Sequence, residues 1–285
     1  MPTTKQRRQS ARRRLQRQLD RRREAARRRR QRNSIIAVVL GVLVAVGGVA
    51  FSVNRLGGDS TSTAAVSTPS PTAKAPLPTR TPPTKAKRAA KKTSGPCGYA
   101  ETDTTLSSPY TFDEGLPPDP DPSPNKGNAG VTLKTGVGNI VFSLDQHAAP
   151  CAVQSFLYLV DKGYFTQSVC HRLTTAGIFV LQCGDPTGTG QGGPTYQFKD
   201  ENLSVASYTK GIVAMANSGP NTNGSQFFII YKDSTTLPKK YTVIGTVTQG
   251  LDAVQKVADA GGDDSNGPGD GHPKTDVVIE GITRG

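Results

Sequence analysis

Tryptophan is absent from the 285 residues, and histidine and methionine occur only three times and twice. The shortage of histidine narrows the chemistry first. His147, His171 and His272 do not form a nucleophile–base pattern with any Cys or Ser, and no His/Cys set falls at metal-ligand spacing. Cys170 and Cys183 are too isolated a pair for a zinc site. Gly188-Thr-Gly-Gln-Gly-Gly193 has the glycines of a phosphate loop but lacks its Gly-Lys-Ser/Thr ending, and no long helical pattern comes after it. No metal or other cofactor is expected. Nothing in the chain points to hydrolysis, redox turnover or group transfer.

Negative charge is scarce in one part of the chain only. Residues 1–34 hold 15 Lys/Arg against 2 Asp/Glu, and residues 35–96 hold 8 against Asp59 alone. Residues 97–285 reverse the balance, with 12 Lys/Arg and 19 Asp/Glu. The formal net charge of +13 therefore belongs to the N-terminal third. Nucleic-acid-binding modules carry their positive charge on a folded face, so no nucleic-acid partner is expected.

Residues 35–53 contain no charged side chain and no polar stripe. A helix of that length, at about 1.5 Å per residue, roughly matches a ~30 Å hydrocarbon core. Two readings stay open. Gly48-Val49-Ala50 is a passable cleavage site for a signal peptide. The Arg-rich stretch before it is far longer than a usual signal peptide and favours an uncleaved transmembrane signal-anchor. Arg excess on one flank places that flank in the cytoplasm, so the remainder is expected outside. All four cysteines lie after the apolar segment. An even number on the extracytoplasmic side points to disulfides.

These features divide the chain. Residues 1–34 are a basic cytoplasmic arm that would attract anionic headgroups; RNA binding is a rival use of the same arginines. Residues 54–96, with seven prolines and no aromatic residue, read as a disordered linker. Residues 97–128 read as an irregular arm lying on a domain, pinned by Cys97 and ending in the proline-rich run 117–124. The domain itself is 129–285.

Within the domain, alternation over 131–135 and 140–144 around Gly136-Val-Gly-Asn predicts a β-hairpin. Val153, Phe156, Leu157 and Val160 predict one helix, and Leu251, Val254 and Val257 a second. Strand-like runs cover 169–173, 178–182, 211–216, 227–231, 241–247 and 276–282. Short strands with only two helices indicate a mainly β fold, an antiparallel barrel with helical caps.

Four blocks carry further information. They are Gly163-Tyr-Phe with Cys170-His-Arg172; Phe179-Val-Leu-Gln182 with Gly184-Asp185; Phe198-Lys-Asp-Glu-Asn202; and Ala214-Met-Ala-Asn-Ser-Gly-Pro-Asn-Thr-Asn-Gly-Ser-Gln-Phe-Phe-Ile229. In this order and spacing the chain resembles the cyclophilin family of peptidyl-prolyl cis–trans isomerases over about 155 residues from residue 131. The resemblance implies a closed eight-stranded antiparallel β-barrel capped by two helices. It also implies catalysis of X–Pro rotation, whose barrier is ~18–20 kcal/mol because amide resonance must be broken. Such a reaction needs an apolar pocket and donors to the twisted amide, not a nucleophile.

By the same resemblance Arg172 donates to the prolyl nitrogen, and Gln182 and Gln226 orient it. Asn217 bonds the substrate backbone. Phe179, Val180, Phe228 and Leu237 line the proline pocket, Ala216 borders the pocket for the preceding residue, and Tyr241 is a further binding position. Phe227 and Ile229 alternate with Phe228 and read as core; His171 reads as packed rather than catalytic. Val180 replaces the usual Met, Thr236 the frequent Trp and Tyr241 the frequent His, so weak cyclosporin binding is expected. The family fold places positions 170 and 183 on adjacent strands, which implies a Cys170–Cys183 disulfide, with Cys97–Cys151 as the second.

The expected partners are proline-containing peptides and unfolded exported proteins. The whole looks like a membrane-anchored folding catalyst of a high-GC Gram-positive bacterium. A non-catalytic peptide-binding domain using the same groove is the rival reading; the presence of Arg172 favours catalysis.

Overall fold

The computed structural model describes Arg80 and residues 92–102, 111–120 and 127–285. All of these lie in one compact unit, 73–285. The basic arm 1–34 and the apolar segment 35–53 lie outside the described residues. Among the described residues no helix is long and apolar enough to cross a membrane.

The first elements among the described residues are short: β1 (Ala100–Glu101) and β2 (Thr111–Phe112). Then come β3 (Asn128–Thr135), β4 (Ile140–Asp145), α1 (Pro150–Asp161), β5 (Ser168–Val169), β6 (Arg172–Thr174) and β7 (Val180–Cys183). After them are β8 (Gly193–Pro194), β9 (Tyr196–Gln197), β10 (Ile212–Met215), β11 (Phe227–Ile230) and β12 (Val243–Gln249). The chain ends with α2 (Leu251–Ala260), β13 (Asp270–Gly271) and β14 (Val278–Arg284).

The predicted hairpin is β3–β4. Val131 faces Phe142 and Leu133 faces Ile140, all four buried, because period-two alternation puts each apolar side chain on the inner face. Gly138 turns the chain at φ 126°, a conformation that favours glycine. Helix α1 opens on Pro150, whose missing N–H costs nothing there, and buries Val153, Phe156, Leu157 and Val160 as their spacing predicts. Helix α2 starts after Gly250, where a Cβ would sit 2.0 Å from the Asn139 carbonyl oxygen, so no larger residue fits.

Among the described residues the fold is mainly β, a curled antiparallel sheet with two helices. Its pairing differs in count from the eight strands expected. Among the described residues ten strands are hydrogen-bonded in the order β13-β6-β7-β11-β10-β12-β4-β3-β14-β5. Two causes raise the number. The run 169–173 is not one continuous strand, because Cys170 and His171 interrupt it; β5 pairs with β14 and β6 with β7. β13 adds a two-residue pairing beside β6. Since β5 and β6 are separated by only two residues yet lie near opposite ends of the order, the chain itself brings the ends of the curled sheet together.

Cys97–Cys151 and Cys170–Cys183 are both disulfide-bonded. The first ties the segment before the domain to α1. That segment is less irregular than its composition suggests. β1 pairs with β9, β2 pairs in parallel with β8, and Thr195 between them donates its N–H to the Phe112 carbonyl and accepts from the Thr102 N–H. Tyr99 is fully buried and T-shaped against Tyr196 and Phe198. Arg80 and residues 92–96, which composition assigns to the linker, also have structure. Arg80 donates to the Tyr164 carbonyl at 2.8 Å and lies 5.0 Å over the Phe112 ring.

Candidate active site

Strand alternation separates two faces across β6, β7, β11 and β10. One row of directly opposed residues is Leu173, Leu181, Ile229 and Val213, all fully buried in the main core. The adjacent row is Arg172, Gln182, Phe228 and Ala214 on the other face. A second apolar cluster forms there from Val180, Ala214, Phe228, Ile230 and Tyr208, with Ala216, Leu237 and Tyr241 packed against it. The Tyr241 ring meets Phe228 T-shaped at 5.4 Å.

Most of the expected pocket is thus assembled in one place: Val180, Ala216, Phe228, Leu237 and Tyr241. Phe179 is not part of it. Its ring packs with the main core and Tyr231, at 6.0 Å between centroids, under the Lys232 ammonium. The reason is parity. Val180 and Phe179 are neighbours in an extended segment, so their side chains point to opposite faces. Phe227 and Ile229 are core residues, as their alternation with Phe228 requires.

Arg172 is held at one end of a polar relay. Its Nη1 donates to Gln182 Oε1 at 3.3 Å, Gln182 Nε2 donates to Gln226 Oε1 at 2.8 Å, and Gln226 Nε2 donates to the carbonyls of Gly190 and Gly192. Each amide therefore has a fixed orientation, which a lone surface glutamine lacks. Those carbonyls belong to a loop organised by Asp185, fully buried, which accepts from the backbone N–H groups of Thr187, Thr189, Gly190 and Gly192. Asn217 lies beside Ala216, and its side-chain amide donates to the Lys240 carbonyl at 2.8 Å.

One partner of Arg172 has no sign in the sequence. Asp270 takes a bidentate grip on it, with Nε to Oδ1 at 2.8 Å and Nη2 to Oδ2 at 2.6 Å. The hydrogen bond from Arg172 holds the Asp270 carboxyl below the usual carboxylate range, and Asp270 in turn raises the guanidinium further. With side chains 35% and 28% exposed, the pair contributes at most about 1 kcal/mol to stability.

Next to this row opens a cavity of about 630 Å³ whose lining includes Gln182, Ala216, Asn217 and Gln226 together with Thr102 and Thr111. Two residues of the arm before the domain therefore form part of its wall. The Cys170–Cys183 disulfide flanks this pair in sequence, Cys170 two residues before Arg172 and Cys183 next after Gln182.

His171 is buried, and neither ring nitrogen has a partner among the described residues. Burial pushes its imidazole down to about 4, with the Asp185 carboxylate opposing and His272 and Arg172 reinforcing the shift. The unfolded chain takes up this proton near the ordinary value of 6.5, and the folded chain only near 4. His171 therefore gives full stability above pH 6.5 and costs roughly 3 kcal/mol as pH falls through 4. Thermal melts of the parent and of His171→Gln from pH 7 to pH 4 check this; the variant should lose Tm less steeply. Parallel curves would remove His171 as the cause.

Residues 130–284 match the sequence family described as cyclophilin type peptidyl-prolyl cis-trans isomerase/CLD. The chain is 46% identical over 167 residues to the probable peptidyl-prolyl cis-trans isomerase B of Mycobacterium tuberculosis H37Rv, covering 53% of each chain. With the corresponding protein of Mycobacterium leprae it shares 44% identity over 166 residues, covering 53% of this chain and 55% of that one. It therefore spans about half the length of these curated relatives. The crystal structure of a Cryptosporidium parvum cyclophilin type peptidyl-prolyl cis-trans isomerase aligns at a TM-score of 0.50 and 32% identity, covering 55% of this chain and 98% of that one.

Proposed function

The chain belongs to the cyclophilin-type peptidyl-prolyl cis–trans isomerase family, and on that premise we propose that residues 129–285 accelerate X–Pro rotation in exported proteins from outside the cell membrane. The observation that carries the reading is Arg172, presented on the same sheet face as the apolar cluster around Phe228. The pyrrolidine ring rests on Phe228, Val180 and Leu237. Twisting the amide localises the nitrogen lone pair, and the Arg172 guanidinium then gains an acceptor that the planar ground state lacks. Stabilisation confined to the twisted state is what lowers the barrier. Gln182 and Gln226 hold the guanidinium at one end, while Asn217, its side chain committed to Lys240, offers the peptide its backbone. Phe179 supports the sheet from the core side.

The tether rests on three features: the Arg-rich residues 1–34, the uncharged residues 35–53, and two disulfides that both lie C-terminal to the apolar segment. The Pro-rich stretch after residue 53 would hold the domain away from the bilayer. A chymotrypsin-coupled assay of the full chain on an Ala-Pro-Phe peptide tests the activity; a rate equal to the uncatalysed one sinks it. Protease added to intact cells tests the location, and a protected C-terminal domain would contradict it.

Weak cyclosporin binding belongs to the same reading. Thr236, where Trp is frequent in the family, donates its hydroxyl to the Gly177 carbonyl at 2.8 Å and supplies little apolar area. Inhibition in the coupled assay should need micromolar drug or more; nanomolar inhibition would refute the expectation.

A further inference from the structure

Arg172 carries five N–H donors in a rigid fork. Asp270 uses two of them, one on Nε and one on Nη2, and Gln182 uses one on Nη1. Two remain, one on each terminal nitrogen. The plane of the guanidinium is therefore set from two sides, and the free donors can point in only one way.

Asp270 is itself held in place. β13 pairs directly with β6, Asp270 opposite Thr174 and Gly271 opposite Leu173, so the carboxylate rides on the strand adjacent to Arg172. The turn that presents it is closed by hydrogen bonds from Asp270 N–H to the Gly267 carbonyl and from the Asn266 N–H to the Asp270 carbonyl. Asn266 Nδ2 donates to Asp270 Oδ1 at 3.2 Å, which fixes the carboxylate rotamer. Asp264 Oδ1 accepts the Gly269 N–H, and Asp263 Oδ1 accepts the N–H groups of Ser265 and His272. A Cβ at Gly271 would lie 2.2 Å from Asp263 Oδ1, so the turn packs without room to shift. A pair about one-third exposed does little for stability, yet this one is carried by a braced turn.

We propose that Asp270 is a positioning residue for Arg172, locking the guanidinium so that its two remaining donors meet the twisted prolyl amide. Arg172 then works as an aimed donor pair and not as a free positive charge, since the carboxylate offsets much of that charge. This rests on the isomerase reading of the same groove. The cost of losing Asp270 falls mainly on the twisted state, because the planar amide nitrogen has no localised lone pair to accept from these donors.

Full-chain Asp270→Asn and Asp270→Glu test it by progress curves for cis–trans exchange, with kcat and KM separated. Asp270→Asn keeps the size but turns one acceptor into a donor facing the guanidinium; it should lower kcat about tenfold with KM within about twofold. Asp270→Glu should recover part of the loss. The Arg172 Nε–H resonance should broaden or exchange faster in Asp270→Asn, while the melting temperature stays near that of the parent. An unchanged kcat in Asp270→Asn overturns the inference, and so does a raised kcat, which would make the pair a restraint on Arg172. An inactive parent chain would instead overturn the isomerase reading.

Discussion

Arg172→Ala is expected to lower kcat/KM for an Ala-Pro-Phe peptide by about 10²–10³-fold, the loss typical of removing one aimed donor to a developing charge. The fall should lie mostly in kcat. The apolar cluster of Val180, Phe228 and Leu237 is untouched by the change, so ground-state binding of the proline ring survives. Stability should change little because the Asp270–Arg172 pair is partly exposed. Arg172→Lys separates charge from geometry. A lysine restores the charge but not the planar fork that grips Asp270 and Gln182 together, so it should remain close to the alanine variant. Activity of Arg172→Ala within about threefold of the parent would sink the assigned role and favour a domain that binds peptides without turning them over.

The second large effect is on stability. Cys97 and Cys151 close a loop with a sequence separation of 54, against 13 for Cys170 and Cys183. In the chain-entropy account the longer loop contributes about 4 kcal/mol and the shorter about 3. Replacing Cys97 and Cys151 together by serine should therefore lower Tm by roughly 10 °C for a domain of this size. The tie has local support that the substitution would also weaken: the Tyr99 hydroxyl donates to the Cys151 carbonyl at 2.7 Å, and the Cys97 N–H donates to Asp119. Because Thr102 and Thr111 wall the cavity beside Gln226, KM should rise as well. Scanning calorimetry and intact mass with and without thiol alkylation check this. A melting point within about 2 °C of the parent, or free thiols in the purified parent, would contradict it.

What can be read from the chain divides along physical lines. The hairpin and both helices are legible because apolar side chains recur at one fixed period and only one face can be buried: Val131, Leu133, Phe156 and Val254 are all in the core. The interruption at Cys170 and His171 is not, since an apolar run gives no sign of which partner each residue pairs with. β1 and β2 are two residues long, too short for any period to show. Within the site, the motif blocks locate Arg172, Gln182 and Gln226, and the structure brings them into one relay. Phe179, named beside Val180 by the same motif, packs toward Tyr231 and the main core, a placement the motif carries no information on. Asp270 leaves no signal at all: it lies 98 residues from Arg172, inside a Gly- and Asp-rich turn that resembles any solvated loop.

The pairing of β8 and β9 with β1 and β2 bears on where the folded unit can be cut. The family match begins at residue 130, yet the N–H and C=O of Thr195 find their partners in Phe112 and Thr102. A chain trimmed to the matched residues would leave 193–197 as an open sheet edge, with unpaired donors and acceptors and the buried faces of Tyr196 and Phe198 uncovered. Such an edge is a template for pairing with a second copy. The segment before the domain thus covers this edge, and the shortest form expected to stay monomeric begins before Cys97.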